Sequence, residues 1–200
     1  MSKVLYIKAN PKPEELSRTF KISNAFVEAY KYHHPEDEII TLDLYQENIG
    51  FLTEKDVLAH SGATDSSRQS TAVKYANQFR DCDKYIFAEP LWNLGIPAIL
   101  KAYFDYITQV GITFKYSPTG PIGLCQGKKA INITTQGGAH SEDASTAQEH
   151  GNSYIKTILN FFGIEDYKCI SASKLDIIGM DVDAIVNKAI EEAKELAKIF

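Results

Sequence analysis

The sequence predicts an α/β fold in which helices cover both faces of a five-stranded parallel sheet. Two observations lead to this prediction: five short apolar runs alternate with stretches of helical period, and the apolar residues within a run are consecutive. Right-handed crossovers between such strands produce a doubly wound sheet. For five strands in one domain we expect the order 2-1-3-4-5, whose ligand crevice lies at the carboxyl ends of the first and third strands.

The composition fits a single globular domain, which we expect to span residues 1–200. The 200 residues include 44% hydrophobic and 24% charged side chains, with a net charge of −5. Nucleic acids and anionic membranes are therefore poor candidate partners, and no apolar run approaches the roughly 20 residues of a membrane span. The three cysteines are widely spaced, and the first residues lack a signal-peptide pattern. Both observations predict a cytoplasmic protein.

The first three strands are predicted at residues 3–8, 38–44 and 85–88. A helix begins after Ser17, which suits a capping position, and ends near His33, while a second helix covers residues 68–80. Residues 45–67 form a long, weakly patterned connection, with a short helix predicted at residues 53–59. Connections of this length are usually functional or belong to an interface.

The fourth and fifth strands are predicted at residues 129–134 and 167–172. Further helices are predicted at residues 98–110, 152–162 and 181–200, and the last of these keeps its apolar residues at the helical period throughout. Residues 113–116 precede a turn-rich stretch, and we expect a small strand or flap there.

Residues 90–97, Pro-Leu-Trp-Asn-Leu-Gly-Ile-Pro, form the loop that best indicates a ligand site. Pro90 lacks a donor for the strand ladder, so we expect the third strand to end before it. Trp92, Asn93 and Leu94 offer a flat ligand an aromatic ring, an amide and an apolar side chain. A surface turn that merely covers the core would use the same residues, and the loop alone does not decide between the two.

Two further loops are predicted at the same edge of the sheet. Residues 17–19, Ser-Arg-Thr, open the first helix, where they would bind a phosphate or simply cap the helix. Residues 135–138 follow the fourth strand, and their two glycines let the backbone approach a ligand or form a plain turn. Together, the three loops fit a mononucleotide with a flat ring.

The sequence lacks the motifs of several other classes. No Gly-x-Gly-x-x-Gly follows the first strand, and there is no Gly-Lys-Ser/Thr phosphate loop or Gly-x-Ser-x-Gly nucleophile elbow. The histidines have no metal-ligand spacing with acids or cysteines, so we predict no metal site. No carboxylate pair stands at a predicted strand end.

Several motifs resemble those of one protein family, in the same order along the chain. They are Pro90-Leu91-Trp92-Asn93-Leu94, Leu100-Lys101-Ala102-Tyr103-Phe104-Asp105, Gly111-Ile112-Thr113-Phe114-Lys115-Tyr116, Gly120-Pro121-Ile122-Gly123-Leu124, Gly127-Lys128-Lys129-Ala130 and Gly137-Gly138. Several such matches in order are far more specific than any one alone. The chain resembles the FMN-dependent NADH-azoreductases, also described as FMN-dependent NADH:quinone oxidoreductases, of bacterial flavodoxin-like fold.

The resemblance implies a non-covalent FMN site. The implied cofactor residues are Asn10, Ser17, Arg18, Thr19, Pro90, Leu91, Trp92, Asn93, Leu94, Thr135, Gln136, Gly137 and Gly138. Residues 17–19 match the family's phosphate turn, residues 91–94 its isoalloxazine wall, and residues 135–138 the segment at the pyrimidine edge of the ring. The chain differs from the family at Asn10, Trp92 and Gln136, where serine, tyrosine and arginine are common.

The resemblance also implies a ping-pong reaction. NADH transfers two electrons to FMN as hydride, and a quinone or an aromatic azo compound then takes them up. The flavin carries the chemistry, so no catalytic acid or base is expected; Phe114, Tyr116 and His140 are the predicted substrate contacts. The family forms homodimers with the site at the interface, and residues 45–67 and 112–126 are the predicted dimer and substrate segments.

Two other functions would share this fold. A flavodoxin-type electron carrier would bind FMN and serve protein partners, but the long segment at residues 10–19 and the mildly acidic charge favour the enzyme. A regulatory module would have the same sheet and bind no flavin. Retention of a yellow cofactor by the purified protein would separate the module from the other two.

Overall fold

The structure is a computed structural model that describes residues 1–47, 49–54, 56–57, 71–139 and 149–200. Its strands are β1 (Lys3–Lys8), β2 (Glu38–Asp43), β3 (Lys84–Pro90), β4 (Phe114–Ser117), β5 (Gly120–Gly123), β6 (Lys129–Thr135) and β7 (Asp166–Ala172). Its longer helices are α1 (Arg18–His33), α2 (Thr71–Arg80), α3 (Ala98–Ile107), α4 (Asn152–Phe161) and α5 (Val182–Ala197). The helix predicted at residues 53–59 is described in part: Glu54, Asp56 and Val57 are helical, and the Val57 N–H donates to the Thr53 carbonyl at 3.0 Å. Residues 48, 55 and 58–67 of the segment at residues 45–67 lie outside the described residues.

Five of the strands form one parallel sheet with the order β2-β1-β3-β6-β7. Counted within this sheet, the order is 2-1-3-4-5, so the predicted fold class is confirmed. β4 and β5 form a separate antiparallel hairpin where a small strand or flap was predicted. Because β1 and β3 are neighbours at the centre, the loops that follow them open at the same edge.

Helices pack on both faces because the central strands bury side chains in both directions. On β3, Tyr85 and Phe87 face the layer of α2, α3 and α4, whereas Ile86 and Ala88 face α1 and α5. All four side chains are fully buried. This two-sided burial explains why the apolar residues of the strand are consecutive in the sequence.

β3 continues through Pro90, beyond its predicted end, although proline lacks an N–H group. β1 pairs with β3 only as far as Ala88, whose carbonyl accepts the N–H of Ala9 at 2.9 Å. Alternate residues of a strand point their N–H groups at opposite neighbours, so the Pro90 nitrogen faces the side where β1 has ended. On the other side, the Leu91 N–H donates to the Thr135 carbonyl at 2.9 Å. The proline costs the sheet no hydrogen bond, and the prediction of an earlier end was wrong.

The helices are short compared with a bilayer. α1 and α5, with 16 residues each, are the longest of the described helices. Within the part of the chain that the structure describes, no helix has both the length and the apolar composition to cross a membrane.

Candidate functional site

A cleft lies at the carboxyl ends of β1, β3 and β6, where the topology predicts a ligand crevice. It consists of two adjoining hollows of about 260 and 530 Å³, which share Leu91, Trp92, Gln136, Gly137 and Asp176. The smaller hollow reaches the start of α1, and the larger one follows the loop after β3. Every residue predicted to bind the cofactor, except Ser17, lines one of the two hollows.

Ser17 caps α1 and is buried behind the cleft. Its Oγ accepts the N–H of Phe20 at 3.1 Å and the side-chain amide of Asn10 at 3.0 Å. The first N–H groups of a helix have no intrahelical partner, and those of Arg18 and Thr19 make no backbone hydrogen bond within the described chain. These open N–H groups and the helix dipole make the start of α1 suitable for an anion.

Contacts on both sides hold the segment between β1 and α1 in place. The Asn10 side chain is buried and connects the end of β1 to Ser17. The buried ammonium group of Lys8 forms an ion pair with Glu14. The hydrogen bond from Lys8 holds the pKa of the Glu14 carboxyl below its usual range. The anion-binding turn is therefore attached to the sheet by side chains as well as by the backbone.

The guanidinium group of Arg18 extends to the loop after β7. It donates to the Leu175 carbonyl and to Asp176 Oδ1, both at 3.2 Å. The arginine side chain is 47% exposed, so this ion pair contributes little to stability. The ion pair nevertheless keeps a positive charge at the edge of the smaller hollow. A bound anion would compete with Asp176 for the Arg18 guanidinium group.

The loop after β3 makes a tight turn that exposes Trp92. Trp92 and Gly95 exchange two backbone hydrogen bonds, of 2.9 and 3.0 Å. Asn93 and Leu94 between them have φ angles of 51° and 68°, as in a type I′ turn. Asparagine adopts this left-handed region readily, whereas leucine does so at a cost. The turn holds the indole of Trp92, which is 38% exposed, as one wall of the cleft.

The loop after β6 leaves backbone N–H groups available at the cleft. The carbonyls of Gly137 and Gly138 accept N–H groups of the loop after β7 at 3.1 and 2.8 Å, whereas their own N–H groups make no backbone hydrogen bond among the described residues. Gly137 lies close to the Asp176 side chain, and a Cβ there would lie 2.4 Å from Asp176 Oδ2, so the carboxylate would have to move. Gln136 is buried and donates to Ser171 Oγ at 2.8 Å. The glycines can donate to a ligand, while Gln136 supports the loop.

Two of the three predicted substrate contacts lie away from the cleft of a single chain. Phe114 is buried on β4 and packs against Phe161, with ring centroids 4.7 Å apart. Tyr116 is 72% exposed on the same hairpin, and neither residue lines the hollows. His140 lies outside the described residues.

Four residues of the smaller hollow were not predicted from the sequence: Lys12, Leu16, Leu175 and Asp176. The last two follow β7, whose carboxyl end lies at the same edge as those of β3 and β6. This shared edge was the signal that could have identified them. Within the described residues, no group of three or more His, Cys, Asp or Glu side chains is placed to hold a metal ion.

Comparison with known proteins agrees with this architecture. A family model described as flavodoxin-like fold matches residues 2–197. The FMN-dependent NADH:quinone oxidoreductase 2 of Clostridium acetobutylicum is 54% identical over 200 residues, which cover 100% of both chains. This chain belongs to the FMN-dependent NADH:quinone oxidoreductase family.

Solved structures of azoreductases are similar to the chain along its whole length. An azoreductase from Bacillus anthracis has 35% sequence identity and a TM-score of 0.93, with 100% of each chain covered. An FMN-dependent NADH-azoreductase from the same species, solved in complex with FMN, has 30% identity and a TM-score of 0.89, and the match covers 100% of this chain and 99% of that one. Both matches cover 100% of this chain.

Proposed function

We propose that this protein is an FMN-dependent NADH:quinone oxidoreductase that also reduces aromatic azo compounds. The observation that carries the proposal is that one cleft combines an anion-binding helix start, an accessible indole and open backbone N–H groups. Relatives with these activities in their names match along the full chain. Bound FMN would supply the redox chemistry, and the oxidised product NAD⁺ would leave before the quinone or azo acceptor binds.

The smaller hollow fits the phosphate end of FMN. The open N–H groups of Arg18 and Thr19, the Thr19 hydroxyl and the Arg18 guanidinium converge there. A doubly charged phosphate satisfies such donors better than a neutral group does. Ser17 would act by shaping the helix start, because its Oγ already accepts two hydrogen bonds.

The larger hollow fits the flat ring. Trp92 and Leu94 supply apolar surface, and the N–H groups of Gly137 and Gly138 would donate to the carbonyl-bearing edge of the ring. Preorganised N–H donors stabilise negative charge that develops on a ligand. The cleft therefore holds and orients the cofactor, and no acid or base side chain is assigned to the reaction.

We further propose that the active enzyme is a homodimer in the cytoplasm. A groove of about 610 Å³ beside the cleft is lined by residues that include Tyr45, Trp92, Ile96, Lys101 and Tyr154. The β4–β5 hairpin also exposes Tyr116 and Ile122. A second copy of the chain on these surfaces would bring Tyr116 towards its partner's cleft. The three cysteines are free thiols, as is usual in a reducing compartment. Full activity of a monomer, with its mass measured by light scattering, would contradict the dimer.

Anaerobic titration of the FMN-loaded protein with NADH tests the function. We expect the flavin absorbance to bleach completely at one NADH per FMN and to return when an equal amount of benzoquinone is added. A protein that NADH does not bleach, but that exchanges electrons with a protein partner, would be a carrier. A purified protein without affinity for FMN would reject both functions.

Variants of the indole provide a matched control. Trp92→Phe keeps an aromatic wall and should retain most of the FMN affinity, whereas Trp92→Ala should lose about 5–30-fold, in line with roughly 1–2 kcal/mol for a stacked aromatic contact. Fluorescence titration of the apoprotein with FMN measures both affinities. Equal affinities for the two variants would show that the indole does not form the ring wall.

A further inference from the structure

Glu89 is a fully buried carboxyl immediately before the loop that lines the cleft. It is 0% exposed, and none of the ion pairs among the described residues includes it. Side chains alternate along a strand, so Glu89 shares the face of Phe87 under the layer of α2, α3 and α4. Its neighbour Pro90 lines the smaller hollow. A group that is usually charged is thus enclosed one residue from the cleft.

The surroundings of Glu89 are polar, and no positively charged side chain is among the described groups that act on its pKa. On β6, the Asn132 side-chain amide donates to Glu89 Oε1 at 3.1 Å, and Thr134 lies directly opposite Glu89 in the sheet register. The other carboxyl oxygen, Oε2, has no hydrogen-bond partner among the described residues. β7 contributes Tyr167 and Cys169, and the segment before α4 contributes Glu149.

This environment favours the neutral carboxylic acid. Burial raises the pKa of Glu89 to about 7; the side chains of Asn132 and Thr134 oppose this shift, and the negative charge of Glu149 adds to it. Burial also raises the pKa of the Cys169 thiol to about 12 and that of the Tyr167 hydroxyl further. Among these three shifted groups, Glu89 is therefore the one whose pKa lies near neutrality.

A line of polar side chains leads from Glu89 towards solvent. Asn132 lies within hydrogen-bonding reach of the Tyr167 hydroxyl, which donates to Asn152 Oδ1. The Asn152 N–H in turn donates to the Glu149 carboxylate, which is only partly buried. Polar side chains therefore connect the Glu89 cluster to the start of α4, on the side of the cluster that is nearest to solvent.

We propose that Glu89 takes up a proton when the bound flavin is reduced and releases it when the flavin is reoxidised. The inference rests on the proposed FMN site. Glu89 is a positioning residue there, because it acts on the cofactor through its charge and not through a bond. Two-electron reduction makes the cofactor more negative beside the loop that starts at Pro90. The Glu89 carboxylate then accepts one proton from solvent, which forms an O–H bond, and returns that proton on reoxidation. Glu89 forms no bond to the flavin and carries no electrons.

The size of the effect follows from electrostatics. A unit negative charge at a separation of about 10 Å in a partly screened interior raises a carboxyl pKa by roughly one. For a carboxyl that titrates near neutrality, such a rise in pKa means that about half an additional proton is taken up per reduced flavin near pH 7.5. The same coupling makes the reduction potential of the wild type more dependent on pH than that of Glu89→Gln.

Redox-difference infrared spectroscopy tests the proposal on the FMN-loaded protein. Electrochemical reduction near pH 7.5 should produce a carboxylic-acid C=O band that shifts in D₂O and is missing in E89Q. The matched variant Glu165→Gln removes an exposed carboxyl at the opposite end of the sheet and should keep the band. Potentiometry of the same three proteins should show the weaker pH dependence for E89Q alone.

The Asn132→Leu variant and the wild-type spectrum provide two further tests of the proposal. Asn132→Leu removes the hydrogen bond that favours the charged carboxylate, so the band should appear at higher pH than in the wild type. A wild-type spectrum without any carboxylic-acid band would overturn the proposal even if E89Q did not fold. Because the electrode replaces NADH, failure of NADH to reduce the flavin would reject the proposed enzyme activity while leaving the assignment of Glu89 testable.

Discussion

The hydroxyl oxygens of Thr19 and Thr135 lie 2.6 Å apart and join the first turn of α1 to the last residue of β6. Both residues are buried and both line the smaller hollow. The bond connects the part of the cleft assigned to the phosphate with the strand end that leads to the glycines. It should therefore contribute both to stability and to the shape of the cofactor site.

Thr135→Val should lower the free energy of unfolding by about 1–3 kcal/mol, because it leaves the buried Thr19 hydroxyl without its partner. The double variant T19V/T135V should lose less than the sum of the two single variants. Urea unfolding of the apoproteins measures the coupling. Thr157→Val removes an exposed helix hydroxyl and serves as the control. Strictly additive losses would contradict a direct Thr19–Thr135 interaction.

Arg18→Ala should weaken FMN binding about tenfold, since it removes the half-exposed positive charge that is proposed to contact the phosphate. Riboflavin has the same ring and no phosphate, so its affinity should change little. Arg80→Ala removes an arginine of similar exposure that pairs with Asp81 and should affect neither ligand. Equal losses for FMN and riboflavin would place Arg18 away from the phosphate.

Leu94→Val should lower the free energy of unfolding by about 1–2 kcal/mol, because a β-branched side chain fits the left-handed region worse than leucine does. Leu94→Gly relieves the same backbone strain and should cost clearly less. Denaturant unfolding of the two apoproteins gives the comparison. If valine were tolerated better than glycine, side-chain contacts and not the backbone angle would decide the stability of the turn.

Glu89→Gln should change how stability depends on pH. The pKa of Glu89 in the folded protein is raised from 4.5 to about 7, so between these values the folded protein holds a proton that the unfolded chain has lost. The stability that this proton contributes is complete below pH 4.5 and is lost as the pH rises through about 7. Glutamine cannot lose the proton, so E89Q should gain about 3 kcal/mol relative to wild type between pH 4.5 and pH 8.

Denaturant midpoints of wild type, E89Q and Glu165→Gln at pH 4.5, 6 and 8 test this expectation. The comparison cancels the titration of all other groups, because they are common to the three proteins. The difference between E89Q and wild type should increase with pH, whereas that of Glu165→Gln should stay nearly constant. A constant difference for E89Q would mean that Glu89 has an ordinary pKa.

Gly123→Ala should destabilise the protein by about 1–3 kcal/mol or more. A Cβ at Gly123 would lie 2.2 Å from the backbone atoms Phe162 C and Gly163 N, so the β4–β5 hairpin would have to move away from the end of α4. Gly50→Ala is the control, because a Cβ there meets only an ordinary contact at 3.9 Å from Tyr106 Oη. Thermal unfolding of both variants provides the measurement, and equal stability would contradict the close packing.

The sequence predicts the sheet and the three loops well because both depend on local patterns. Consecutive apolar residues in a strand indicate burial on two faces, and the parallel topology then brings the loops to one edge. β3 was predicted to end before Pro90, because proline lacks the N–H group that a central strand uses. The missing N–H group is harmless only where the neighbouring strand has ended. That condition depends on the register between β1 and β3, which local pattern does not contain.

The cleft residues that escaped prediction depend on contacts between distant segments. Asp176 meets Arg18 across 158 positions of the chain, and no spacing rule connects them. Ser17 was predicted beside the ligand, but its cap and the Asn10 amide turn its side chain inward. The sequence does contain a signal for Glu89. A charged residue between Ala88 and Pro90 in an apolar strand indicates a special environment.

The central position of β1 has a consequence for how the chain is made. β1 is the first strand to be synthesised, yet it lies between β2 and β3, so one of its edges stays uncovered until residues 84–88 have emerged. At ~5–20 residues per second, this interval lasts roughly 4–15 seconds on the ribosome. The glycine loop after β6 and the loop after β7 emerge later still. The nascent chain therefore exposes a parallel strand edge long before the loops that form the cleft are complete.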